Sequence, residues 1–303
     1  MNMKSNRAII QLIFGAACIS FSPILVKLIG VSLMTPTAIG FWRCFLGALI
    51  LFSWASLAKK PLMIDMSIMR WTILAGLFFS FDLFFWHRSI IYAGAGLSTI
   101  LGNTQVFGSA ILGYFIFKDR LTTKFLVAAI TAVGGVALLA GIGSDIEFTD
   151  LYLRGIIYGL LTGLSYAAYL VTVKYAGHKQ KLPDFVTLMA WISVYTALFM
   201  GVMSAIEGED ILPPDLYSWA VLVVLALLVQ SIGWRAISEG LSKLEAYRAG
   251  LILLLQPILA TVWGIIIFSE SFTFLQLLGA AITLAAIYIG GISGKTKATP
   301  EPN

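Results

Sequence analysis

Asp82, Trp86, His87, Arg88 and Ser89 crowd into one stretch of this chain that is otherwise almost wholly apolar. An aspartate at the centre of a hydrocarbon span costs about 2.5–3.5 kcal/mol on insertion scales, which marks it as a functional candidate. Asp82 and Trp86 are four residues apart and share a helix face, whereas His87 lies off that face. Asp82 and His87 are candidate proton carriers, a histidine being able to titrate near neutrality; a structural hydrogen bond is the other reading of His87. Arg88 falls about 27 Å along the helix from Arg70 at ~1.5 Å per residue, near the end of the span. There it either snorkels to the interface or contacts a ligand.

A second group, Gln230, Trp234, Arg235 and Glu239, repeats part of this pattern, with Gln230 and Trp234 falling 148 residues after Asp82 and Trp86. Arg235 and Glu239 have the i,i+4 spacing of an ion pair on one helix. Two tryptophans at opposite depths on equivalent helices can instead cap a central cavity from each side. Asn103, Gln105 and Gln256 sit near the middle of their apolar stretches. An amide at that depth must face protein or a water-filled cavity, because lipid offers it no partner. Interhelical hydrogen bonding or a substrate path both answer that need. Pro257 and Pro23 each remove a backbone hydrogen bond and are expected to kink their helices beside the cavity. Lys27 sits where it can snorkel. Arg43 is placed to pair with Asp82 or bind an anionic group, and Arg248 has Glu245 and Glu239 as plausible partners. Gly159 and Gly163, at GxxxG spacing, read as close helix contacts.

The elements that must position these residues are membrane helices. Of 303 residues, 59% are hydrophobic and 12% charged, against about 25% charged in a soluble domain. Long apolar runs recur at roughly 8–29, 37–57, 71–92, 94–117, 124–142, 154–175, 184–206, 217–240, 246–268 and 273–292. Helices are required because the bilayer gives backbone N–H and C=O groups no water to bond. The fold class is therefore an all-α integral membrane protein of ten transmembrane helices. Lysines and arginines collect at one set of loops (Lys4, Arg7, Lys59, Lys60, Arg70, Lys118, Arg120, Lys124, Lys174, Lys179, Lys181, Lys243, Lys295 and Lys297), and acidic residues collect at the other. The positive-inside rule then puts both termini in the cytoplasm. The net charge of +5 reflects this loop bias and calls for no nucleic-acid partner.

The N-terminal run holds Pro23 and Lys27, is too long for a signal-peptide core and lacks a small-x-small cleavage site, so it reads as the first span. Cys18 and Cys44 fall inside spans as apolar fillers. The tail around Gly290–Thr296 has Ile289 where a phosphate-binding loop needs glycine. No ATP motif, metal ligand set or cofactor is expected, and transport would have to draw on a gradient.

Offsets near 150 run through the whole chain. Trp71 and Trp86 recur as Trp219 and Trp234; Arg7 and Lys27 as Arg154 and Lys174; Gln105, Phe117 and Asp119 as Gln256, Phe268 and Glu270. Each copy holds five spans, over residues 8–142 and 154–292. Because five is odd, the copies enter the membrane in opposite senses, the inverted-repeat pattern of secondary transporters, with a cavity between them.

Glu245-Ala246-Tyr247-Arg248-Ala249 followed by Leu254-Leu255-Gln256-Pro257 resembles the ninth span of the EamA branch of the drug/metabolite transporter superfamily. Phe268-Ser269-Glu270 and Gly279-Ala280-Ala281 continue the resemblance, as do Phe41-Trp42-Arg43 and Pro23 with Lys27 in the first half. It covers residues 8–292. Departures are Val106, where such proteins commonly carry proline, and Asp119, where they carry glutamate. The resemblance implies a bacterial inner-membrane transporter working by alternating access. The expected function is secondary transport, by export, of small polar or amphipathic metabolites such as amino acids. Arg43, Trp86, Arg88, Asn103, Gln105, Trp234, Arg235 and Gln256 are the expected substrate contacts. A proton-coupled importer is the alternative; a membrane-embedded lipid enzyme is disfavoured because His87 and His178 lie on opposite sides. Expected partners are the substrate and membrane lipid, with a monomer sufficient and a homodimer open.

Overall fold

The computed structural model describes residues 3–118, 121–145, 147–241 and 252–293. Asp119, Arg120, Lys243, Glu245, Arg248, Lys295 and Lys297 lie outside the described residues. All regular structure among the described residues is helical. The elements are α1 (Met3–Ser20), α2 (Ser22–Leu33), α3 (Pro36–Leu57), α4 (Met66–Ala93), α5 (Ala95–Gly102), α6 (Gln105–Phe117) and α7 (Thr123–Leu139). They continue as α8 (Asp150–Lys179), α9 (Phe185–Glu207), α10 (Leu216–Val224), a π-helical segment (Leu225–Gly233), α11 (Trp234–Leu241), α12 (Leu255–Phe268) and α13 (Phe274–Ser293). Eight helical stretches are long and apolar enough to cross a membrane, and Thr123–Leu139 and Leu255–Phe268 are shorter apolar helices. Together they make the ten expected spans: α1–α2, α3, α4, α5–α6, α7, α8, α9, α10–α11, α12 and α13.

Helix starts carry local signals. Thr35, Thr122 and Thr149 accept from the backbone N–H three residues on with their side-chain oxygens; Asp215 does the same for α10, and Asp184 accepts from the N–H of Val186, two residues on, for α9. Each satisfies a donor that the first helical turn leaves free. The hydrogen bond from the Ser218 backbone N–H holds the Asp215 carboxyl below the usual carboxylate range.

Outward faces are apolar: Ile10, Phe14, Ile130, Val133, Leu198 and Ile266 are exposed, while Ser89, Ser98, Thr196 and Gln230 are buried. That inversion suits lipid outside and polar contacts within. Packing pairs α4 with α8 and α1 with α11, and also joins α7 to α13, α3 to α9, and α5 to α12. Advancing every helix by five spans carries this set of pairs onto itself. Hydrogen bonds repeat the relation at opposite ends. Trp42 Nε1 donates to Ile211 O at 2.6 Å and Trp191 Nε1 to Leu62 O at 2.8 Å, both partners shifted by 149 residues.

Small residues set the closest approaches. A Cβ on Gly159 would lie 2.7 Å from Leu101 Cδ1, and one on Gly163 would lie 2.6 Å from Thr104 Oγ1. The GxxxG face of α8 thus receives the junction between α5 and α6, as its spacing predicts. Gly134 has open space at its Cβ position. Gly163→Ala is expected to lower the thermal unfolding midpoint in detergent, overpacking of this kind costing about 1–3 kcal/mol. Gly134→Ala should leave it unchanged or slightly raised. Equal midpoints for the two variants would contradict the close packing of α8 on that junction.

Candidate substrate cavity

Two spans break at matching places. After Gly102 the α5 ladder ends: Thr104 N donates to Leu101 O and Phe107 N to Thr104 O, and α6 begins at Gln105. In the second half the helix breaks at Leu254 and α12 starts at Leu255. Asn103 and Leu254 are 151 residues apart, the offset that also relates Gln105 to Gln256. Asn103 stabilises its break by donating from Nδ2 to Thr99 O at 2.8 Å. Pro257 lies in the first turn of α12, and Pro23 in the first turn of α2, just after Phe21 separates α1 from α2. Both prolines thus begin a helix, where a missing N–H removes no ladder bond.

The breaks open onto a cavity of about 330 Å³. Of the expected contacts, Arg43, Trp86, Asn103, Gln105, Trp234 and Gln256 line it, and so does Asp82. Phe79, Thr162 and Tyr166 also line it; they are ordinary span residues in sequence, with no signal to single them out. Tyr166 lies against Tyr169 and Trp234, with ring centroids 5.8 and 6.2 Å apart. Trp234 Nε1 is buried without a hydrogen-bond partner among the described residues.

Arg43, only 2% exposed, does not pair with Asp82. Its Nε donates to Gln230 Oε1 at 3.1 Å and its Nη1 to Ser22 Oγ at 3.1 Å. Gln230 Nε2 in turn donates to Ser193 Oγ at 3.0 Å. The π-helical segment supplies Gln230: its extra residue per turn rotates the following side chains, and Ser231 Oγ bonds back to Ala226 O at 3.0 Å. The Arg43 guanidinium lies 5.7 Å from the Trp86 ring centroid. Asp82 is 7% exposed and makes no hydrogen bond or ion pair among the described residues.

His87, Arg88 and Arg235 are not among the cavity-lining residues. His87 is fully buried, with Nδ1 3.0 Å from Pro36 O and Nε2 without a partner. Arg235 Nε donates to Glu239 Oε1 at 2.7 Å, the pair its spacing suggested, and its guanidinium covers the Trp54 ring at 4.1 Å.

Arg88 belongs to a charged cluster at the acidic end of the molecule. Its Nη2 reaches both Glu207 oxygens at 2.8 Å, Thr37 Oγ1 at 2.9 Å and Glu209 at 3.8 Å. Thr37 and Thr35 donate to Glu207 and Glu209. Beside it, Lys27 Nζ meets Glu270 Oε1 at 2.6 Å, and that carboxylate accepts from Ala95 N and Gly96 N at the start of α5. Lys27 is therefore an ion-pair partner more than a snorkelling anchor. Gly94, at φ +97°, makes the one-residue turn between α4 and α5, and a Cβ there would lie 3.1 Å from the Glu270 carboxyl carbon. These partners escaped sequence reading because they join residues about 120 and 240 positions apart.

Together these features define a multi-pass membrane protein with a polar cavity at helix breaks and a cluster of ion pairs at one end. The EamA-like transporter family model matches residues 6–141 and again 153–290, and the chain belongs to that family. An uncharacterized inner membrane transporter, YhbE, of Escherichia coli is 23% identical over 100% of this chain and 99% of its own. A probable amino-acid metabolite efflux pump of Salmonella typhimurium is 25% identical over 68% of this chain and 70% of its own. A WAT1-related chloroplastic protein of Arabidopsis thaliana is 29% identical over 64% of this chain, which spans about half (48%) of that protein's length. One solved crystal structure superposes with a TM-score of 0.65 at 15% identity, covering 94% of this chain and 96% of the other; it shares the fold.

Glu270→Gln is expected to lower the unfolding midpoint measured in detergent by several degrees. It weakens the Lys27 pair and the cap on α5, and hydrogen bonds to charged groups contribute about 1.5–3 kcal/mol each. Lys60→Met, which breaks the half-exposed pair with Asp184 at 3.3 Å, should change it little, exposed pairs contributing about 0–1 kcal/mol. The reverse ranking would remove the Glu270 cluster from the structural account.

Proposed function

We propose that this protein is a secondary active transporter that exports small polar or amphipathic metabolites, amino acids or related compounds, across the bacterial inner membrane. The observation that carries this reading is the cavity lined by Arg43, Asp82, Asn103, Gln105, Trp234 and Gln256 from both halves of the chain and set at two broken helices. Broken helices at the membrane centre turn helix ends and free backbone groups toward cargo. Residues 8–142 and 154–292 act as inverted five-helix copies, a division supported by the recurring packing and by the crosswise Trp42 and Trp191 hydrogen bonds. Substrate is held at the Arg43, Trp86, Asn103, Gln105, Trp234 and Gln256 positions, while Arg88 and Arg235 govern the two ends.

With both termini cytoplasmic, the Arg88–Glu207 and Lys27–Glu270 clusters close the outer side. Alternating access then requires these contacts to break as the halves rock and an inner closure forms. The family and the name of the Salmonella relative support transport and efflux. A second reading, import coupled to protons, draws on Asp82, an unpartnered carboxylate beside the cavity; His87 would have to act through the wall.

Purified protein in liposomes, assayed against a metabolite panel with and without an imposed pH gradient, tests the proposal. Energised inside-out vesicles should accumulate the cargo. Gln256→Ala should weaken apparent affinity roughly fivefold, the equivalent of about 1 kcal/mol for one lost hydrogen bond. Accumulation only in right-side-out vesicles would replace export with import. No transport of any panel member would refute the transporter reading for this class of cargo.

A further inference from the structure

The two halves differ most at one pair of matching helix crossings. Where α3 meets the π-helical segment, a guanidinium meets an amide: Arg43 Nε donates to Gln230 Oε1, and Gln230 is fully buried with its other end on Ser193. The matching crossing joins α9 to α4. Gln230 corresponds to Asp82 at the offset of the paired tryptophans, and Arg43 corresponds to Ile192 at the offset of the Trp42 and Trp191 hydrogen bonds. An isoleucine therefore stands in the place of the arginine, and a carboxylate in the place of the amide. Ile192 is fully buried and offers no donor.

Asp82 thus has no cation within ion-pairing distance among the described residues; Arg43, on the same cavity, acts on it only through space, with its Nε and Nη1 turned to Gln230 and Ser22. Asp82 is more than nine-tenths buried, lines the central cavity and has no hydrogen bond or ion pair among the described residues. An ionised carboxylate withdrawn from water demands a compensating charge. On the cavity wall beside it, Phe79 and Tyr166 flank Trp234 with ring centroids 6.5 and 6.2 Å from it, and Tyr169, outside the lining, packs against Phe79 and Tyr166 at 5.1 and 5.8 Å. Aromatic faces attract cations through their quadrupoles, most strongly where water is excluded. The Trp86 ring already faces Arg43, which leaves the Phe79–Tyr166–Trp234 side to a ligand.

We infer that Asp82 is a cation subsite: the cargo carries a positively charged nitrogen that docks on this carboxylate against the aromatic wall. This rests on the transporter reading above and narrows it to ammonium-bearing compounds, zwitterionic or cationic. Arg43 has its Nε and Nη1 engaged by the protein. Its Nη2, without a partner among the described residues, stands ready for an acidic group where the cargo has one.

Three compounds with one skeleton separate the charges: phenethylamine, phenylalanine and phenylpropionate. Full-length protein in detergent should bind the first two, read as a raised unfolding midpoint and by equilibrium dialysis, and bind phenylpropionate at least about tenfold more weakly. Asp82→Asn, which keeps the shape and removes the charge, should lose at least about tenfold in affinity for the two ammonium compounds. Asp82→Glu should retain the preference for ammonium and serves where the asparagine variant does not fold. Preference for phenylpropionate, unchanged ammonium binding in Asp82→Asn, or no binding of either ammonium compound would overturn the subsite. Transport in liposomes that persists in Asp82→Asn with unaltered preference would overturn it while leaving the transporter reading intact. Loss of all transport in wild-type protein would instead strike that reading.

Discussion

Hydrocarbon gives the backbone no hydrogen-bond partner, and most of this structure follows from that one deficit. Each span must close its own ladder as a helix, so an interruption is tolerated only where protein or a polar cavity receives the freed groups. The chain interrupts its spans at Asn103–Thr104 and at Leu254, on either side of the same cavity. It answers the cost locally: Asn103 bonds Thr99 O, and Thr104 bonds Leu101 O with its hydroxyl. The π-helical segment answers a related problem, adding a residue without breaking the ladder, and so brings Gln230 to Arg43.

The same deficit orders the charges. Arg43 is held by an amide and a hydroxyl, Lys27 and Arg88 by carboxylates from distant loops, and Arg235 by Glu239 and the face of Trp54. At the acidic end these pairs join elements that would have to separate for the cavity to open there: α2 to the α12–α13 loop, and α4 to the end of α9. Pairing of this kind fixes register and state more than it adds net stability, because desolvation offsets much of the attraction. Asp82 is the exception, without a hydrogen bond or ion pair among the described residues, and it shares the cavity wall with Arg43.

Much of the fold was legible in the sequence. Ten apolar runs and their loops follow from hydropathy, while the capping roles of Thr35, Thr122, Thr149 and Asp184 came with the structure. The matched glutamines marked the fourth and ninth spans as candidates to line a substrate path, but not that these spans break. Of the candidate site residues, Arg43, Asp82, Trp86, Asn103, Gln105, Trp234 and Gln256 converge on one cavity. Spacing along a single helix could not separate Asp82 from Arg88, since both are polar groups in one apolar run.

By itself the sequence determined the class of structure, the number of spans, the pairs of related positions and the polar residues that need an explanation. These are properties of composition and period, which act within one helix. Only the tertiary structure decided which polar groups share a space: Arg43 turns to Gln230 and Ser22, Lys27 to Glu270, Arg88 to Glu207, and Asp82 to none of the described residues. Those choices depend on which helices cross and at what depth. The small faces of Gly159 and Gly163 and the extra residues of a π turn set those crossings, and hydropathy does not encode them.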